Sequence, residues 1–299
     1  MNSSITLLVA FLAVFGLLAG TSLAAPASQP TSLPGGLRVF TAGHSFHVWV
    51  ADILADMAKS AGIEGHKEAG LSSIGGSTVL QHWDVPDGKN KIKEALVAGN
   101  VDVLTLSPIW LPDEGIEKFA RLAFAHNPNA RVTVQEYWLP NDEYVPVYPL
   151  QSNKKVDHDA TNIEQLRQAY AKYARDMDDA VRAINEKLGK QVVFVVPAGE
   201  ASILLREKII AGQAGPLNKQ SDLFTDSWGH PTPVLEALAG YCHFAVIYRR
   251  NPVGLPVTNI LAKNKTWNDE KLNRLLQELA WDAVTRHPLS GVKAAAQAP

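Results

Sequence analysis

The chain has 299 residues, 46% of them hydrophobic and 19% charged, enough apolar material for one globular domain with a sizeable core. A formal net charge of −2 gives no electrostatic ground for binding nucleic acid or an anionic membrane surface. The single cysteine, Cys242, has no internal partner, which excludes a disulfide-stapled secreted scaffold.

Residues 5–20 are almost all apolar and uncharged, and Thr21-Ser22-Leu23-Ala24 followed by Ala25-Pro26 presents small residues where a secretory signal peptide is cleaved. The run is short for a bilayer span. The expected organisation is a signal peptide over 1–24, a flexible Pro-, Ser- and Gly-rich leader over 25–36 and one domain over 37–299. The mature protein is then secreted or periplasmic, with no stable membrane span.

Along the domain, residues 37–41 predict a first strand. Residues 46–61 predict a helix with Val50, Ile53, Leu54 and Met57 on one face, closed by Gly62. Between them lies Gly43-His44-Ser45-Phe46, which places the Ser45 hydroxyl at the carboxyl edge of a sheet, where ligands of open α/β sheets collect. Serine there is also an ordinary helix N-cap. A second, more polar strand is expected over 63–69, ending in a glycine-rich loop from Gly70 to Thr78 that lets backbone approach a ligand.

A helix over 91–98 leads into the apolar strand 101–106, ended by Pro108; a helix over 115–125 precedes a strand over 131–136. Residues 137–156, with Trp138, Tyr144 and Tyr148 among prolines, read as a surface excursion or lid. A long amphipathic helix over 162–188 stops at Gly189, followed by a strand over 191–197 and helices over 201–211 and 234–248. Cys242 sits on a buried face of the last. The β-α alternation predicts an α/β fold: a three-layer α/β/α sandwich with a mainly parallel, flavodoxin-like five-stranded sheet.

The segment Asp222-Leu223-Phe224-Thr225-Asp226-Ser227-Trp228-Gly229-His230-Pro231 places acids and a histidine just before that helix. A serine hydroxyl is a weak nucleophile until a base takes its proton, and the base needs an acceptor to hold its tautomer. His230 is the expected base and Asp226 its orienting acid, with Asp222 the other choice.

Gly43-His44-Ser45-Phe46, Ile74-Gly75-Gly76-Ser77, Leu80-Gln81-His82-Trp83, Asp226 to His230 with Pro231, and the stretch from Tyr241 to Leu255 together resemble the SGNH, or GDSL-type, hydrolase superfamily, in its secreted bacterial branch. The resemblance covers roughly residues 37–256. It implies a serine ester hydrolase working through an acyl-enzyme without a cofactor, on a small-molecule or carbohydrate ester, an acetyl group included. It also implies that the backbone N–H of Gly75 or Gly76 serves the oxyanion.

Two departures stand out: Asp226-x-x-x-His230 is one residue longer than the family's Asp-x-x-His, and Leu106-Ser107-Pro108-Ile109-Trp110 lacks the family's oxyanion asparagine. Ser107 is the available side chain there. These departures keep open a non-catalytic relative that binds a glycan or a partner.

Of the remaining polar residues, His82 and Trp83 are expected to line or support the pocket. His47 is expected at its mouth and Glu136 at a strand end facing it. Trp110, Trp138 and Tyr144 offer a surface for stacking on carbohydrate. A third reading groups His44, His47, His82 and His230 as metal ligands.

Overall fold

The computed structural model describes residues 35–145 and 155–293. The expected signal peptide and leader lie almost wholly outside them. Five strands, β1 (Arg38–Gly43), β2 (Lys67–Ser73), β3 (Val103–Leu106), β4 (Arg131–Gln135) and β5 (Val193–Val196), form one sheet in the order β2-β1-β3-β4-β5. All four pairings are parallel. This is the flavodoxin-like order, whose reversal at β1 and β3 opens a crevice at their carboxyl ends.

Helices cover both faces. α1 (Val50–Ser60), α6 (Ala198–Ile210), α7 (Pro233–Tyr248) and α9 (Glu270–Arg286) share one apolar core. α3 (Lys91–Val97), α4 (Glu114–His126) and α5 (Ile163–Leu188) share the other. Two short helices, α2 (Val79–Trp83) and α8 (Asn259–Ala262), flank them. α5 shows why the layers form: Leu166, Tyr170, Tyr173, Met177, Val181 and Ile184 recur at three- and four-residue steps and are all buried. α7 is apolar around its whole circumference and is accordingly buried on every side, packed on α1, α6 and α9, with Cys242 inside it.

Four local expectations need correction. α1 starts at Val50, not Phe46, because residues 45–49 form a tight turn in which the His44 carbonyl accepts from the N–H groups of His47 and Val48. Ser45 therefore caps no helix, and Trp49 stands at the N-cap position without a side-chain cap bond. β2 lies four residues later than expected: Ile63 N–H still closes α1 onto the Ala58 carbonyl, and Gly65 turns the chain at φ 81°. Gly70 is a strand residue, since a Cβ there would meet the Phe40 ring at 2.5 Å. Residues 137–139 are not a surface excursion: Tyr137, Trp138 and Leu139 are all buried. Beyond these four, α9 is a helix that the sequence pattern did not predict, packed on α6 and α7 in the same layer.

Candidate active site

Ser45 is exposed on the turn after β1, at the sheet's reversal point. A buried polar network holds that turn from beneath. The Gln135 amide, at the end of β4, donates to the Phe46 carbonyl at 2.9 Å. Its oxygen therefore faces both His47 Nδ1 at 3.0 Å and His243 Nε2 at 2.9 Å, so each imidazole donates there. Their other nitrogens face Thr105 Oγ1, at 3.3 and 3.5 Å. Burial pushes His47 down to about 4 and His243 well below its usual value, so both rings stay neutral. His47 is thus a floor residue and not one at the pocket mouth.

The acid and histidine come from the loop before α7. Thr225 N–H donates to the His230 carbonyl at 2.8 Å and Phe224 bridges Pro231, closing a small antiparallel loop. Inside it Asp226 Oδ1 accepts the N–H groups of Trp228 and His230, at 3.0 and 3.1 Å, an Asx-type turn. Gly229, at φ 89°, lets the chain reverse. This turn absorbs the extra residue between acid and histidine.

His230 Nδ1–H donates to Asp226 Oδ2 at 2.7 Å, while Ser45 Oγ–H donates to His230 Nε2 at 3.0 Å. The Phe46 ring, 4.8 Å from the imidazole between centroids, packs against it. Burial would raise the Asp226 pKa, but hydrogen bonds from the His230 backbone and ring and from Trp228 hold it below its ordinary value. Asp222 is elsewhere: its carboxylate accepts from Asn218 and Lys219 N–H and braces a turn.

Gly76 lines the cavity at Ser45, and its φ of 63° is one that favours glycine. The N–H groups of Ser45 and Gly76 bond to no other described residue, which leaves both free for an oxyanion. Gly75 is exposed beside them and is not in the cavity wall. His82 supports this loop from behind, linking Ser72 Oγ at 2.9 Å to Ser77 Oγ at 2.8 Å, and burial lowers its pKa to about 4.

Ser107 does not face Ser45. Its buried hydroxyl meets His44 Nε2 at 3.4 Å, and burial, with His47 nearby, takes His44 down to about 3. The four histidines therefore belong to separate contacts. Among the described residues no group of three His, Cys, Asp or Glu side chains is arranged to hold a metal ion.

The cavity beside Ser45 has a volume of about 330 Å³ and is walled by Phe46, Ile109, Trp110, Tyr137, Pro140 and Trp228 together with His44, Gly76 and His230. Glu136 is not part of it. That carboxylate is fully buried on the far side of the strand end, where it accepts from the Tyr170 hydroxyl and pairs with His287 at 3.4 Å; it lines a different cavity. Trp83 likewise lines another hollow, under Lys93. Trp138 is buried against Phe46 and Tyr144 donates to Asp176, so of the three proposed stacking aromatics only Trp110 reaches the cavity.

Sequence reading missed Tyr137, Pro140, Ile109 and the wall role of Trp228. It also missed Gln135, which ends the largely buried strand Arg131–Gln135.

No family model matches the chain, and no curated protein matches it in sequence. Solved structures do. A DUF4886 family protein from Bacteroides uniformis is 14% identical over 84% of this chain and 95% of its own, with a TM-score of 0.50. A candidate SGNH hydrolase from Slackia heliotrinireducens is 14% identical over 70% and 97%, with a TM-score of 0.41. A candidate GDSL-like lipase from Parabacteroides merdae is 10% identical over 84% and 96%, with a TM-score of 0.37. At 14% identity, the likeness to the Bacteroides uniformis protein is one of fold alone.

Proposed function

We propose that this chain is an exported serine ester hydrolase. The observation that carries the reading is the continuous line Ser45 Oγ, His230 Nε2, His230 Nδ1, Asp226 Oδ2, with separations of 3.0 and 2.7 Å. Ser45 Oγ attacks the ester carbonyl carbon as His230 Nε2 takes the hydroxyl proton, and Asp226 stabilises the imidazolium. The carbonyl oxygen, now an oxyanion, lies toward the Ser45 and Gly76 N–H groups. Collapse breaks the bond to the alkoxy oxygen, which leaves as the alcohol with the proton from His230. Water then attacks the acyl-enzyme, His230 taking its proton, and the acid and free Ser45 are released.

The absent asparagine favours a second reading, an SGNH-like protein that binds an ester-bearing ligand without turning it over. One experiment separates the two. Hydrolysis of p-nitrophenyl acetate by the mature chain, with and without a chelator, is compared with that of Ser45→Ala. The hydrolase reading predicts chelator-insensitive turnover that Ser45→Ala lowers by about 10⁴-fold or more. Turnover no faster than that of Ser45→Ala, in a folded protein, supports the binding protein instead.

A further inference from the structure

Resting on that hydrolase reading, we infer that the ester carries an apolar group about the size of one aromatic ring, which fills the cavity beside Ser45, and that an acetylated sugar is a poor substrate. The cavity wall offers a sugar little. Its polar members are already committed: Ser45 and His230 to each other, His44 to Ser107 and to the Phe46 N–H, and Gly76 through its backbone. The rest of the wall is Phe46, Ile109, Trp110, Tyr137, Pro140 and Trp228, and no charged side chain of the described residues joins it.

A sugar ring brings several hydroxyls, each of which loses water on entry and needs a replacement partner. This apolar wall offers few of them. An apolar group loses nothing of that kind and gains from every contact.

Size follows from the volume. About 330 Å³ is the room of roughly ten water molecules at about 30 Å³ each. That accommodates one ring with a short linker or a short alkyl chain, and lies at the small end of ligand sites.

The cavity is also built in advance. The Trp138 indole N–H donates to the Gly229 carbonyl at 2.8 Å, and Asn141 N–H to the Trp228 carbonyl at 3.3 Å, stitching the two walls together. Leu139, Asn141 and Asp142 hold φ values of 57°, 56° and 54°, a conformation costly for non-glycine residues. The fully buried Arg206 holds this turn through both carboxylate oxygens of Asp142, at 2.5 and 3.0 Å. Pro140 and Tyr137 are thereby fixed against the opening, so the walls need no rearrangement to receive a ligand.

The apolar group belongs either to the acyl or to the alcohol side of the ester, and two arms of one experiment tell them apart. Initial rates are followed by titration of released acid for ethyl acetate, butyrate, hexanoate and benzoate, then for the acetates of butanol, hexanol and benzyl alcohol, with glucose pentaacetate alongside. Burial of each methylene is worth about fourfold. One arm is therefore expected to rise by about ten- to a hundredfold in kcat/KM from its two-carbon to its six-carbon or aromatic member, with the pentaacetate no better per ester than ethyl acetate. Trp228→Ala, which shortens a half-exposed wall residue, is expected to flatten the rising arm at least threefold.

Flat arms, or a pentaacetate that outruns the benzyl and hexyl esters, overturn the inference while Ser45-dependent turnover of ethyl acetate leaves the hydrolase reading standing. No Ser45-dependent turnover of any ester overturns both.

Discussion

Two buried polar networks hold the two halves of the proposed triad, and they are built on opposite principles. Beneath Ser45, Gln135, His47, His243 and Thr105 form a neutral set in which one amide oxygen accepts from two imidazoles. Beneath the acid loop, Arg206 and Asp142 form a charged pair, and His158 links Asp142 Oδ2 at 2.9 Å to the Asp226 carbonyl at 3.2 Å.

The neutral network sits inside the sheet, between β3, β4 and α7, where a net charge would be costly. The charged one, equally buried, anchors a strained turn, for which a guanidinium supplies paired donors. Ser45 is held by geometry and the acid loop by charge, so different perturbations should loosen them.

Acid should produce the largest effect, and on the neutral side first. An unfolded histidine takes its proton near pH 6.5, whereas burial holds His47 and His82 near 4 and His44 near 3. Between those values the unfolded chain binds more protons, so stability falls as pH drops below about 6.5; the loss levels off near 4 for His47 and His82 and continues toward 3 for His44. For the fully buried His47 alone this is on the order of 3 kcal/mol. Asp142 behaves differently. Burial opposes its charge, but His158 and Arg206 hold it down at about 2, so its contribution is present above the ordinary carboxylate range and lost only as pH falls toward 2. Urea unfolding at pH 7 and 4.5 should show a drop of several kcal/mol; equal stability at the two values would contradict neutral burial of the histidines.

Next in size is Arg206→Met, which leaves the Asp142 carboxylate buried without its guanidinium. A loss of about 3–5 kcal/mol is expected in urea unfolding. A loss below about 1 kcal/mol would mean that the charge pair does not anchor the turn.

Smaller again is Gln135→Leu, which strips partners from two imidazole N–H groups and the Phe46 carbonyl. A loss of about 2–3 kcal/mol is expected, with kcat down at least tenfold, because the Ser45 turn is displaced. Gln135→Glu, which can still accept from both imidazoles, should restore part of kcat. Equal kcat for the wild type and Gln135→Leu would detach this network from the nucleophile.

These networks also mark where sequence reading stops. The parallel sheet was legible because Val193–Val196 is an unbroken apolar run, Val103–Leu106 is broken only by Thr105, and α5 has a clean stripe. Ser45, Asp226 and His230 were legible as a candidate set because such a mechanism needs a nucleophile, a base and an acid together, and the fold brings the three within hydrogen-bonding distance. β2 was misplaced because its polarity, that of an edge strand, resembles a loop. Glu136 was misassigned because one residue's difference along a strand end decides which face it meets: Gln135 turns beneath Ser45, Tyr137 into the cavity wall and Glu136 to the far side. The Arg206–Asp142 pair, separated by 64 residues, has no local signature at all.

The central claim, that Ser45 is an activated nucleophile in spite of the missing asparagine, is tested most directly by mass spectrometry after treatment with a fluorophosphonate. One adduct on the peptide containing Ser45 is predicted in the wild type, strongly slowed in His230→Ala and absent in Ser45→Ala. A folded wild-type chain that stays unlabelled, or is labelled equally fast in His230→Ala, would contradict it.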